Sequence, residues 1–238
     1  MQETQQNGKK YLTGADLVIR ALIDENVDTI FGYPGGQVLA IYDALEAHKK
    51  QIKHILTAHE QGAAHAADGY ARATGKVGVV LATSGPGAAN LVTGIATACL
   101  DSSPLVAITG NVPTAQIGRD SFQELDIADI TMPITKHNYI VKDIKDLPRI
   151  LHEAFDIARS GRQGPVLVDI PRDIQSAKIA VSDLADGERN QTRFHHHPMQ
   201  TKSLYGIDDA AKLIKSAKRP IIYCGGGTVS AGAGELVM

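Results

Sequence analysis

Val77-Gly78-Val79-Val80-Leu81-Ala82-Thr83-Ser84-Gly85-Pro86-Gly87-Ala88-Ala89-Asn90 is the stretch that decides the fold. Residues 77–82 are apolar without alternation. A strand of that kind is buried on both faces, as in parallel sheets covered by helices. Ser84-Gly85-Pro86-Gly87 then turns the chain into an Ala-rich segment, read as a helix through Leu100.

The same alternation extends in both directions. Thr13 can cap a helix, with Asp16 three residues on and an apolar face of Leu17, Val18, Ala21 and Leu22. Residues 29–31 read as a short strand, broken by Gly32-Tyr33-Pro34-Gly35-Gly36. A helix over 38–48, a strand over 53–57 and an Ala-rich helix over 59–73 follow. Residues 105–109 are a strand, 147–159 a helix and 165–170 a last strand. The expected fold is α/β, a doubly wound parallel sheet over about residues 11–175. We expect residues 1–10 to be disordered, 11–180 to form the domain and 181–203 to be a polar linker. Residues 204–238 resume the pattern with a helix at 208–217, a strand at 220–224 and Gly225-Gly226-Gly227. So few elements cannot enclose a core, and the expectation is a second α/β domain cut short.

Composition narrows the function classes. The 238 residues carry a formal net charge of −2 and no Lys/Arg-rich arm, which disfavours nucleic acid as a partner. No apolar run is long enough to span a bilayer, and residues 1–10 lack a signal-peptide pattern. Cys99 and Cys224 each sit in an apolar run. We expect buried, reduced thiols in a cytoplasmic protein.

Four segments are candidates for chemistry. Glu60 lies where a buried strand meets a helix, at the sheet edge where doubly wound folds bind ligands. A carboxylate there, among Ala and Gly, is poorly solvated; the plain alternative is a first-turn Glu favoured by the helix dipole. Gly85-x-Gly87-x-x-Asn90 approaches a dinucleotide fingerprint but lacks the third glycine, and no ribose-binding acid follows the next strand, so a nicotinamide site is disfavoured. Tyr33-Pro34-Gly35-Gly36 reads first as a tight turn. Residues 118–138 form a long mixed segment of the kind that carries binding residues, or a solvated connection. His195-His196-His197 lack metal-site spacing, and no metal ligand is expected in this chain.

In order along the chain stand Phe31-Gly32-Tyr33-Pro34-Gly35-Gly36, His59-Glu60-Gln61-Gly62-Ala63, Ala67-Asp68-Gly69-Tyr70-Ala71-Arg72 and Thr83-Ser84-Gly85-Pro86-Gly87. Ser121-Phe122-Gln123-Glu124, Thr135-Lys136-His137-Asn138-Tyr139 and Gly164-Pro165-Val166-Leu167-Val168-Asp169-Ile170-Pro171 follow. Together they resemble the large subunit of the acetolactate synthase family, over about residues 11–175 and more weakly over 206–238. The resemblance implies a thiamine diphosphate pyrimidine-binding domain, followed by the start of an FAD-binding domain. It implies a diphosphate and Mg²⁺ site in a region this chain does not contain. By resemblance, Glu60 contacts the aminopyrimidine ring and is the catalytic residue. Gly35, Gly36, Ser102 and Gln123 match thiamine diphosphate contacts. Phe122, Gln123 and Lys136 match residues on the substrate approach. Arg162 and Gly225, Gly226 and Gly227 match FAD contacts. Gln163 stands where the family often has Pro, and Arg172 where it often has Lys.

The implied reaction decarboxylates pyruvate and joins the remaining two-carbon unit to pyruvate or 2-ketobutyrate, the start of branched-chain amino-acid synthesis. The implied assembly is a homodimer or tetramer, with a small regulatory subunit as a candidate partner. The Ala/Gly-rich helices at 59–73 and 87–100 would allow close packing across an interface. The chain alone is expected to be inactive. Alternatives are a pyruvate oxidase, glyoxylate carboligase or keto-acid decarboxylase, and a non-catalytic pyrimidine-domain module.

Overall fold

The computed structural model describes residues 4–6, 9–188 and 206–238, in two units divided between Arg193 and Phe194. The first unit opens with strands β1 (Thr4–Gln6) and β2 (Lys9–Thr13), which pair antiparallel. The disorder expected for residues 1–10 therefore does not hold for 4–6 and 9–10. Helix α1 (Gly14–Asp24) starts as read. Thr13 and Asp16 form a reciprocal capping box that satisfies two otherwise orphaned N–H groups.

The main sheet takes β3 (Thr29–Gly32), β4 (Lys53–Leu56), β5 (Gly78–Ala82), β6 (Leu105–Asn111), β7 (His137–Ile140) and β8 (Pro165–Pro171). All its pairings are parallel, in the order β4-β3-β5-β6-β8-β7. Helices α2 (Leu39–Ala47), α3 (Glu60–Thr74), α4 (Pro86–Ala89), α5 (Val92–Leu100), α6 (Ile127–Thr131) and α7 (Leu147–Arg159) connect them. After β8 come α8 (Arg172–Ser176), β9 (Lys178–Ala180) and α9 (Val181–Glu188). β9 pairs antiparallel with β2, placing Ile179 against Leu12.

Strands β5, β6 and β8 are buried at every residue, as the unbroken apolar run predicts. Alternate side chains serve two cores. Val79, Leu81, Val106, Ile108, Val166 and Val168 pack with α1, α2 and α7 around Phe155. Val80, Ala82, Leu105, Ala107 and Leu167 pack with the alanines of α3 and α5. The sheet is thus doubly wound, as expected.

Several local expectations change. The helix read through Leu100 breaks at Asn90–Leu91 into α4 and α5. Edge strand β7 has no counterpart in the sequence pattern, because residues 137–140 are at most partly buried and carry no apolar run. The segment assigned to a linker begins as α9, whose Leu184 joins the core. Its histidine run lies outside the described residues. In the second unit, α10 (Ile207–Ser216), α11 (Gly226–Ser230) and α12 (Gly234–Val237) form, but residues 220–224 are not a strand. Ile221 is 94% and Tyr223 97% exposed, and a lone strand has nothing to pair its backbone. Cys224 is exposed and Cys99 half-buried, so the expectation of two buried thiols fails at Cys224; both are free.

Candidate functional site

β3 leads through α2 to β4 on one side, and α3 carries the chain back across β3 to β5 on the other. The carboxyl ends of β3 and β5 therefore flank the point where the winding reverses, the crevice in which open α/β sheets hold ligands. The loops there are Tyr33–Gly36 and Thr83–Gly87, and the helix entering from β4 starts at Glu60.

Glu60 is positioned by its own chain. Beyond β4, the Thr57 N–H donates to the Gly32 carbonyl (3.1 Å). His59 is extended (φ −156°, ψ 142°), and its Nδ1 accepts from the Gln61 N–H at 3.1 Å, capping α3. Glu60 is thus the first helical residue. It is 8% exposed beside Ala63 and Ala64. Asn90 Nδ2, on the turn after α4, donates to Glu60 Oε2 at 2.9 Å.

Glycines let the loops close on this carboxyl. A Cβ on Gly87 would lie 2.7 Å from Thr83 Cγ2 and 3.2 Å from Glu60 Oε1. A Cβ on Gly35 would come within 2.5 Å of the Thr83 side chain. Thr83 Oγ1 meanwhile accepts the Gln37 N–H at 3.1 Å, tying the two loops together. Gly85 has φ +57°, and a Cβ there would meet the Gln123 carbonyl oxygen at 2.6 Å. Gln123 itself has φ +60°. The loop after β6 is therefore folded onto the Gly85 turn. Glu124 ties that loop together by accepting N–H bonds from Ser121 and Gly118, which hold its carboxyl below the usual range. Phe122, beside Gln123, is 86% exposed. Gly36 has open space around it.

Behind Glu60 stands Tyr42 of α2. Its buried Oη has no hydrogen-bond partner and lies 2.6 Å from where a Gly32 Cβ would be. Burial first, and the charge of Glu60 second, push its pKa far up. Its ring meets His54 edge-on at 5.0 Å. Burial lowers the His54 pKa and favours the neutral ring.

The structure does not bring Ser102 and Lys136 to Glu60. Gly35, Gly36, Glu60 and Gln123 all follow strands and share the carboxyl edge. Ser102, Lys136 and Arg162 each precede a strand and lie at the amino edge. There Arg162 donates from Nε to Ser102 Oγ (2.8 Å) and from Nη2 to the Leu100 carbonyl (3.3 Å). Lys136 Nζ donates to the Ser160 carbonyl at 2.6 Å at the end of α7, and burial lowers its pKa. Gly225, Gly226 and Gly227 belong to the second unit and are exposed.

Sequence pattern does not mark Thr83 or Tyr42 as site residues. Only the position of Thr83, directly after a buried strand, offered a signal. Among the described residues, no group of three or more His, Cys, Asp or Glu could hold a metal ion, and no helix is long and apolar enough to cross a membrane.

A parallel doubly wound sheet with a buried carboxylate and glycine loops at its switch point defines a cofactor-binding α/β domain. Residues 12–130 match the family described as thiamine pyrophosphate enzyme, N-terminal TPP binding domain, and the chain belongs to that family. It is 52% identical over 233 residues to an acetolactate synthase of Arthrospira platensis, covering 97% of this chain and 40% of that protein. It is 51% identical over 230 residues to a probable acetolactate synthase large subunit of Methanococcus aeolicus, covering 94% and 37%. It is 50% identical over 229 residues to an acetolactate synthase large subunit of Corynebacterium glutamicum, covering 94% and 35%. The chain thus spans well under half the length of these relatives.

Proposed function

We propose that this chain is the pyrimidine-binding portion of an acetolactate synthase large subunit. In this reading the whole enzyme decarboxylates pyruvate and joins the two-carbon unit to pyruvate or 2-ketobutyrate. The observation that carries it is Glu60, a carboxyl held by one neutral donor in a glycine-lined crevice at the switch point.

The residues present fit a thiamine cofactor. A carboxyl is the group that can hold or accept a proton at a ring nitrogen, and Gly87 has no side chain to cover Glu60 Oε1. Thiamine diphosphate, when bound, supplies a nucleophilic carbon and an electron sink for decarboxylation. Glu60 would hold the proton at the aminopyrimidine nitrogen, and its burial keeps water from competing for that bond. Gly35, Gly36 and Gln123 lie on the same edge and would border the cofactor, with Phe122 and Gln123 toward the substrate. Ser102 and Lys136, matched to cofactor and substrate, would have to act from the amino edge. Arg162, there beside Ser102, and Gly225, Gly226 and Gly227 would bind FAD. No residue of this chain is assigned to Mg²⁺. We further propose a cytoplasmic homodimer or tetramer, and hold a small regulatory subunit as a candidate partner. The similarity to enzymes so named supports these points.

The test is acetolactate formation from pyruvate with thiamine diphosphate, Mg²⁺ and FAD. It is run on residues 1–238 and on a form as long as the relatives, each beside Glu60→Gln. The long form should be active, residues 1–238 inactive, and Glu60→Gln at least about 100-fold slower. Acetyl phosphate or acetaldehyde as the product would overturn the assignment.

A further inference from the structure

We infer that Asn90 is a positioning residue for Glu60. It orients the carboxyl plane, so that Oε2 is held by the protein and Oε1 is left to face the cofactor ring. This inference rests on the reading of Glu60 given above and assigns a task to a residue that the reading leaves idle.

The geometry carries it. Asn90 Nδ2 donates to Oε2 at 2.9 Å, and no other hydrogen bond to the Glu60 carboxyl is found among the described residues. The last torsion of a glutamate is broad and nearly unrestrained, so a carboxyl without a fixed donor samples many plane orientations. Chemistry at a ring nitrogen needs that plane held within about 0.5 Å and 10–20°. A single amide donor can hold it.

The choice of donor has a physical reason. Arg or Lys at this distance would favour the ionised carboxylate and resist its protonation. An amide carries no charge, so it orients the group with a weaker pull toward the ionised form than a cation would exert. The spacing has a reason too. Asn90 follows Gly87 by three residues, and α4 spans Pro86–Ala89, so the two lie on one face of a single turn. Gly87 leaves room beside Oε1, and Asn90 grips Oε2. Gly85-x-Gly87-x-x-Asn90 is therefore not a damaged dinucleotide fingerprint. The last position of the motif, a glycine where helix and strand must pack closely, is here an amide reaching across to a carboxyl on α3.

The experiment uses the long form of the enzyme with thiamine diphosphate and no keto acid. Exchange of the cofactor C2 proton for deuterium is followed by quench-flow and NMR, and cofactor affinity by fluorescence titration. Asn90→Ala removes the donor. Asn90→Asp keeps the shape but turns the donor into an acceptor facing Glu60. Glu60→Gln is measured beside them. Exchange should slow at least 10-fold in both Asn90 variants while the dissociation constant for thiamine diphosphate moves less than 3-fold. Asn90→Ser, a shorter hydroxyl donor, should restore part of the rate. Slow exchange in Glu60→Gln with normal exchange in both Asn90 variants overturns the positioning role and leaves the reading of Glu60 standing. Normal exchange in Glu60→Gln itself overturns the reading of the site. Equal losses of exchange and affinity in the Asn90 variants reduce Asn90 to a structural part of the turn, which also overturns the proposal.

Discussion

Asp169 carries a carboxyl into the middle of the sheet, on β8 facing β6. Burial raises its pKa from 3.8 to about 7, against the hydrogen bonds of Thr109 Oγ1 (2.6 Å) and Asn111 Nδ2 (2.5 Å), with the charge of Asp126 adding to the rise. The folded form therefore holds its proton more tightly than the unfolded chain. The resulting stability is fully present below pH 3.8 and is lost as the pH rises through about 7. We predict that the urea midpoint of residues 1–238 falls across that window, with a contribution of at most about 1.4 kcal/mol per pH unit from this group. Asp169→Asn should flatten the trend. An unchanged slope in that variant would show that other groups carry it.

α3 and α5 come together through small residues. A Cβ on Gly94 would lie 2.3 Å from the Cβ of Ala64, whereas a Cβ on Gly62, also in α3, would meet nothing within 4 Å. Gly94→Ala must push the helices apart and should cost roughly 1–3 kcal/mol, lowering the urea midpoint at constant slope. Gly62→Ala adds helix propensity in open space and should gain up to about 1 kcal/mol. The two substitutions are the same chemistry, so equal effects would mean that the close helix contact does not govern this packing. The same economy of volume recurs at β5, where a Cβ on Gly78 would strike the Ala67 carbonyl oxygen at 2.2 Å. The alanines Ala64 and Ala67 of α3, facing Gly94 of α5 and Gly78 of β5, thus serve approach to α5 and to the sheet together.

At the scale of the whole molecule, the two units differ in kind. The first has a continuous core on both faces of its sheet. The described residues of the second, 206–238, include none that is buried. Ile207, Leu213 and Ile214 give α10 an exposed apolar stripe that no described residue of its unit covers. A peptide of residues 206–238 should show little helix by circular dichroism and no cooperative melting transition. A sharp transition would mean that this segment folds by itself.

The amino-acid sequence by itself determined the buried strands, the capping box at Thr13 and Asp16, and the place of Glu60 at a strand-to-helix junction. Each of these is a local pattern: an unbroken apolar run, a three-residue spacing, a short polar–glycine break. It also carries a signal about which sheet edge a loop residue occupies. Ser102 and Arg162 precede strands legible as apolar runs, and in a parallel sheet that alone puts them on the edge opposite Glu60, whereas Lys136 joins that edge only through β7. The tertiary structure decided what local pattern cannot express. The half-buried edge strand His137–Ile140 exists because β8 offers it a partner. Among the described residues, 220–224 pair with no strand. The pairing of β2 with β9 joins residues about 170 positions apart. The bond from Asn90 to Glu60 likewise arises only because the winding reverses between β3 and β5 and lays α3 beside α4. Sequence periodicity records which side of an element is buried, whereas contacts between elements depend on the order in which the strands assemble.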